Sequence, residues 1–103
     1  MTFGQAIAEG RRKAGLTQRD LAGRVKKEDG RPISAQYLND IEHDRRSPAA
    51  DALIGQFAMV LGLSTEYLYY LAGALPYDLR GKVVGEEQVV AAYTAFRKKL
   101  REA

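Results

Sequence analysis

The chain has no cysteine, no tryptophan, a single histidine and only three prolines in 103 residues. Without cysteine there are no disulfide staples, no thiolate metal sites and no thiol nucleophile. The absence fits a reducing, cytoplasmic setting. The one histidine, His43, has neither a second imidazole nor a thiolate to share a metal with, so no metal site is expected. No apolar run approaches the roughly 18 residues that a membrane-spanning helix needs. Met1 to Gly15 is broken by Glu9, Arg11, Arg12 and Lys13, so it lacks the apolar centre of a secretory signal. Strand-type alternation, internal repeats and low-complexity tracts are missing too. No glycine-rich phosphate loop follows a strand, and one histidine on a helix makes no convincing Ser–His–Asp order. Asp40, Glu42 and Asp44 stand two residues apart and so do not converge on one helix face as a magnesium site would require. The chain is therefore expected to be neither an enzyme nor a cofactor carrier.

What is present is an ordinary globular composition, 46% hydrophobic and 28% charged, in a length that suits one domain with a real core. The formal charge is +3, and residues 1–46 account for all of it, with ten Lys/Arg against seven acids. A basic region of this kind serves a nucleic-acid binder. It also serves as a plain solvated surface, so charge alone does not decide.

The apolar spacing is helical almost throughout. A first helix is expected from about Thr2 to Ala14, with Phe3, Ile7 and Ala14 inward and Gly15 as its stop. Thr17, with Asp20 three residues on, starts a second helix that buries Leu21, Ala22 and Val25 and ends near Lys26 or Lys27. Residues 26–33, KKEDGRPI, read as a turn. Ser34 caps a third helix, about Ala35 to His43, with Leu38 and Ile41 inward. Ser47 followed by Pro48 predicts the start of a fourth helix that runs to Leu61 and stops at Gly62. Ser64 caps a fifth, through about Ala72, with Tyr67, Leu68 and Leu71 inward. Residues 73–85 read as a surface linker. A last helix opens at Glu86 and Glu87 and closes on Lys98, Lys99 and Arg101, as its dipole prefers. Val89, Tyr93, Phe96 and Leu100 form an apolar seam along it.

Two short helices joined by a turn in a basic surround make a helix-turn-helix candidate. The ordered series GRRKAGLTQRDLAGRV, ISAQYLNDIEHDRRSP and FAMVLGLSTEYL resembles the Cro/CI-type (XRE) family of bacterial and phage repressors. The resemblance covers roughly Phe3 to Ala72. It implies an all-α, five-helix, lambda-repressor-like DNA-binding bundle over residues 1–72, to which the linker 73–85 and the helix in 86–103 are additional. It implies a third helix in the major groove and a second helix crossing the backbone above it. By position, Ser34, Ala35, Gln36, Asn39 and Asp40 would read bases. Gln36 and Asn39 each have the amide geometry for adenine. Gln18 would face a phosphate or an outer base. Arg19, Lys26, Lys27, Arg31, Tyr37, Arg45 and Arg46 would touch the DNA backbone. Arg11 and Glu42 align with a structural ion pair of the family.

Two features depart from the family pattern. The turn is long, and Lys26, Lys27 and Arg31 in it read equally as phosphate contacts or as a solvated loop. Asp40 is an acid on the reading face. Tyr69, Tyr70, Val89, Tyr93, Phe96 and Leu100 are candidate dimer contacts, against the alternative of core and ordinary surface. The expected function is a double-stranded-DNA-binding regulator, a homodimeric repressor of an inverted-repeat operator. The alternatives are an antitoxin whose last helix holds a toxin, and a protein-interaction adaptor that has lost DNA binding.

Overall fold

Hydroxyl caps at Thr17, Ser34 and Ser64 start helices where the sequence places them. In a computed structural model that describes residues 1–47, 50–81 and 84–103, six α-helices follow one another: α1 (Phe3–Lys13), α2 (Gln18–Arg24), α3 (Ala35–Glu42), α4 (Asp51–Leu61), α5 (Thr65–Ala72) and α6 (Glu86–Arg101). A 3-10 turn, Tyr77–Leu79, interrupts the segment before α6. Among the described residues the only β-type pairing is one isolated antiparallel bridge, Lys26 with Pro32.

Thr2 and Thr17 each accept from the amide three residues on, and each receives a side-chain bond back on its own amide, from Gln5 and Asp20. Each of these reciprocal pairs satisfies two amides that a helix start leaves orphaned. The Thr17 amide and hydroxyl hold the Asp20 carboxyl below the usual carboxylate range. Ser34 and Ser64 cap α3 and α5. Gly62 and Gly73 close α4 and α5 in the left-handed conformation, which a side chain would disfavour.

Two boundaries differ from expectation. The second helix stops at Arg24 because Val25 turns extended and sinks its β-branched side chain fully into the core. The fourth helix starts later than Ser47: its cap position is Ala50, with no side-chain bond, and Asp51 brings the acid to its first turn. Pro48, the residue on which the earlier start rests, lies outside the described residues.

The core gathers Ile7, Leu21, Val25, Leu38, Ile41, Phe57 and Leu68, all fully buried, with Phe3 edge-on to Phe57 at 6.4 Å. Burying a large aliphatic or aromatic side chain contributes about 1.5–3 kcal/mol. This is the main force holding α1, α3, α4 and α5 together. In α5 the inward face is centred on Leu68 and Tyr69 rather than on Tyr67. Tyr67 is exposed and stacks on Tyr70 at 6.5 Å. Ala14, expected inward, is the exposed cap residue of α1.

Helix α1 approaches α3 closely at Gly4. A Cβ there would lie 2.4 Å from the Ile41 carbonyl oxygen. The junction is clamped by Asp44, whose carboxylate accepts from the Gly4 amide (3.0 Å) and the Thr2 hydroxyl (2.6 Å). Asp44 reaches them from a left-handed backbone, φ 57°.

Helix α6 buries none of its residues. It meets the bundle where Phe96 packs edge-on against Tyr70 at 6.2 Å. The radius of gyration, 15.4 Å, exceeds the roughly 13 Å of a compact chain of this length, as a projecting helix requires.

Candidate nucleic-acid interface

Leu38 and Ile41 point α3 into the core, which turns Ala35, Gln36, Asn39 and Asp40 to its outer side. Ser34, Ala35 and Gln36 are exposed; Asn39 and Asp40 are half-buried. Successive turns therefore present 35 with 39 and 36 with 40, the spacing at which side chains on a helix are neighbours. Tyr37, half-buried, lies under the Arg46 guanidinium, 4.6 Å from its ring centre.

Behind this face runs a polar network. Arg11 Nε donates to Glu42 Oε2 at 2.7 Å, and its Nη2 donates to Oε1 at 3.0 Å. Its Nη1 donates to the Leu16 carbonyl. The side chains are 12% and 3% exposed, so this two-pronged pair is sheltered from water and ties α1 to α3. The Glu42 hydrogen bond raises the Arg11 guanidinium's pKa above its ordinary value. Gln18 Nε2 donates both to Glu42 Oε1 (3.0 Å) and to Asn39 Oδ1 (3.1 Å). The sequence expectation had Gln18 facing a phosphate or an outer base. Both of its side-chain hydrogens are directed at α3 in the free protein, so a phosphate would meet only its acceptor oxygen.

Asp40, the acid on the reading face, has three partners. It accepts from Gln36 Nε2 at 3.1 Å and from Arg45 Nη1 at 3.4 Å, and Arg46 Nε stands 3.8 Å away. Its charge is thus opposed by two guanidiniums. Both arginines are more than half exposed, so these pairs are weak, worth at most about 1 kcal/mol, and a phosphate can replace Asp40 as their partner. The three alternating acids end in three places: Asp40 on arginines, Glu42 on Arg11, Asp44 on the start of α1.

The long turn is an ordered hairpin rather than a loose bulge. Ile33 N–H donates to the Val25 carbonyl, and Lys27 N–H donates to that of Arg31. Val25 and Ile33, both buried, anchor its base. Gln56 on α4 clasps it, accepting from the Lys26 amide (2.6 Å) and donating to the Lys26 carbonyl (2.8 Å). Lys26, Lys27 and Arg31 are exposed along it, as is Arg19 on α2. Arg31 stands 4.0 Å from Asp29, and Lys26 Nζ leans on the Gly23 carbonyl. Exposed His43, at the end of α3, has its Nδ1 2.8 Å from the Asn39 carbonyl. A carbonyl can only accept, so this nitrogen carries the hydrogen.

At the opposite end, Tyr69 corrects the sequence expectation of a dimer contact: it is buried and donates its hydroxyl to Asp51 at 2.7 Å. Arg80 also donates to Asp51. The Tyr69 hydroxyl, then Arg80, hold the Asp51 carboxyl below its usual range; burial, then Asp51, pushes the Tyr69 phenol up. Tyr70, Val89, Tyr93, Phe96 and Leu100 are exposed, each by 38% or more. Tyr70, Tyr93 and Phe96 help line an apolar cleft of about 580 Å³ between α5, the 73–79 segment and α6. No signal in the sequence pointed to Gln56, Asp44 or the Gln18–Glu42 bond, because each joins residues distant in the chain.

A family model described as Helix-turn-helix matches residues 7–68. No curated protein matches the sequence. Among solved structures, a chain of the SinR protein/SinI protein complex is similar, with a TM-score of 0.54 and 21% identity over 98% of this chain and 89% of that one. At that identity the likeness concerns the fold.

Proposed function

The chain belongs to the helix-turn-helix family of Cro/CI-type regulators, and from that premise we propose that it is a sequence-specific, homodimeric DNA-binding repressor. The observation that carries the reading is the outer face of α3. Gln36 stands there exposed and Asn39 one turn on, half-buried against Gln18 of α2, with the weakly paired Arg45 and Arg46 beside them. Ser34, Ala35, Gln36, Asn39 and Asp40 then meet base edges. Arg19, Lys26, Lys27, Arg31, Tyr37, Arg45 and Arg46 meet the backbone, where contacts fix register without reading sequence. Affinity falls steeply with salt, since each neutralised phosphate releases counterions.

The second copy docks on α6. Its seam of Val89, Tyr93, Phe96 and Leu100 is self-complementary when two helices run antiparallel. Val89 then opposes Leu100 of the partner, and Tyr93 opposes Phe96. The acidic first turn, Glu86 and Glu87, lies beside the partner's basic last turn of Lys98, Lys99 and Arg101. A two-fold dimer presents two α3 helices to half-sites about one DNA turn apart.

The test is selection of binding sites from a random duplex pool, paired with sedimentation of the wild type and Phe96→Glu. An enriched inverted repeat and a wild-type dimer that Phe96→Glu dissociates, with helicity kept, are the expected results. No enrichment by folded protein overturns sequence-specific binding. A wild type that stays monomeric at tens of micromolar overturns the dimer.

A second reading uses the same exposed seam for a different protein, as an adaptor or antitoxin would. It is favoured by the seam's exposure and by the similar fold occurring in a complex of two named proteins. A folded protein without salt-dependent DNA binding, which instead copurifies with a stable partner, would support it.

A further inference from the structure

The two amides on the reading face are not chemically equivalent, and two carboxylates make them differ. Glu42 accepts two bonds from Arg11, and its Oε1 can only accept again from Gln18. The Gln18 amide must therefore turn its NH2 group toward Glu42. The same NH2 group donates its other hydrogen to Asn39, which requires Asn39 to offer its oxygen. The Asn39 NH2 group is then left as the free end. On the neighbouring turn, Asp40 takes one hydrogen of Gln36 Nε2. That leaves Gln36 with its oxygen and one N–H together, the pair that adenine N6 and N7 require.

We propose that Gln18 is a positioning residue that fixes the Asn39 amide with its donor end outward, so that Asn39 reads guanine while Gln36 reads adenine. Guanine presents two acceptors, O6 and N7, in the major groove; adenine presents an acceptor and a donor. An Asn39 whose oxygen is held by Gln18 offers donors alone and matches guanine. The relay runs from the Arg11–Glu42 pair through Gln18 to a base-reading atom, and carries side-chain orientation from α1 to α3 by way of α2. The base assignment rests on the DNA-binding reading above; the amide orientation does not.

The experiment compares wild type, Gln18→Met and Asn39→Ala in site selection from a random duplex pool, with circular dichroism to confirm folding. Methionine keeps the length and helix preference of glutamine and removes both donors. The position to inspect is the one whose preference Asn39→Ala erases. The expected wild-type base there is guanine. Gln18→Met frees the amide to flip, so guanine preference over adenine falls on the order of tenfold, the scale of one specific base contact. Binding to random duplex and its salt slope stay as in wild type. A wild-type adenine at that position, or an unchanged preference in Gln18→Met, overturns the proposal. So does a uniform loss on all duplexes with a shallower salt slope, which would make Gln18 a phosphate ligand.

If the wild type selects no site, DNA reading fails but the relay is still decided in the free protein. Side-chain amide exchange by NMR should show the Gln18 NH2 hydrogens protected, and Gln18→Met should shift the Asn39 NH2 resonances. A freely exchanging Gln18 amide overturns the relay.

Discussion

Replacing Gly4 by alanine tests the junction on which the orientation of α3 depends. A Cβ at this position lies 2.4 Å from the Ile41 carbonyl oxygen, 2.6 Å from that of Glu42 and 2.7 Å from Asp44 Oδ1. Carbon–oxygen contacts in proteins settle near 3.3–3.6 Å, so the overlap is about 1 Å against two backbone atoms. Neither can swing away as a side-chain tip would. Relief requires α1 to back off from α3, stretching the Gly4 amide bond to Asp44 and loosening the contact of Phe3 with Phe57. Forced overpacking of this kind costs about 1–3 kcal/mol, and a lost hydrogen bond about 1 kcal/mol. Alanine returns roughly 0.5–1 kcal/mol through its helix preference. The net expectation is a loss of about 1–3 kcal/mol, with the thermal midpoint falling by about 4–8 °C per kcal/mol. Gly55→Ala in α4 is the internal control: its Cβ meets nothing within 4 Å, so only the helix preference remains and stability should rise. Urea unfolding and thermal melts followed by circular dichroism read both. A Gly4→Ala protein as stable as wild type would refute the close-approach argument, most clearly if Gly55→Ala behaves as expected.

Glu42→Ala strands Arg11 in a sheltered site, and a loss of about 3–5 kcal/mol is expected in urea unfolding; replacing both partners by apolar residues should cost less, and equal losses would count against a coupled pair. Asp51 and Tyr69 set opposite ends of the pH profile. The lowered Asp51 pKa contributes stability that is present above the ordinary carboxylate value of 3.8 and lost as pH falls below it. The raised Tyr69 pKa contributes stability that is present below 10.0 and lost as pH rises beyond it. Tyr69→Phe should therefore flatten both flanks of stability against pH, and an unchanged alkaline flank would exclude the phenol. Gln36→Ala should weaken binding to the selected site by about 1–3 kcal/mol and leave random duplex unaffected, read by fluorescence anisotropy at fixed salt; equal losses on both would remove Gln36 from base reading.

Most helices were legible because their punctuation is local. Thr17 with Asp20, Ser34, Ser64 and Gly62 act on residues within one turn of themselves, and the structure uses each as the sequence indicates. The fourth helix departs from that logic: Ser47 offers a cap, yet the helix begins at Asp51 without a side-chain cap and buries Leu53, Ile54 and Phe57. Tyr67 and Tyr69 were exchanged for a related reason. A tyrosine is apolar along its ring and polar at its tip, so helical spacing alone could not tell which one had a partner for its hydroxyl. Asp51 supplies that partner to Tyr69 from another helix. The outer face of α3 was legible by position, but the hydrogen bonds that orient its side chains were not. Gln18 reaches across 24 residues to Glu42, and no spacing rule connects them.

Helix α3 has eight residues, fewer than an isolated helix needs to hold together in water, where about 12–15 is marginal. Its shape and direction must come from what it is fastened to. Leu38 and Ile41 supply the attraction to the core, but apolar contact is not directional and would tolerate some roll about the helix axis. Directional restraint comes from its C-terminal end, where Glu42 is locked by the two-pronged Arg11 bond and Asp44 grips the first turn of α1. Two acids that would be unfavourable next to a phosphate backbone thus hold the roll of α3. Asp40, half-buried on the outer face, is already opposed by Arg45 and Arg46. Were a phosphate to take those arginines, as the proposed DNA-binding reading implies, Asp40 would keep its bond from Gln36. What offsets this carboxylate's charge on the face proposed to read DNA is the pair of guanidiniums, shared between it and a phosphate.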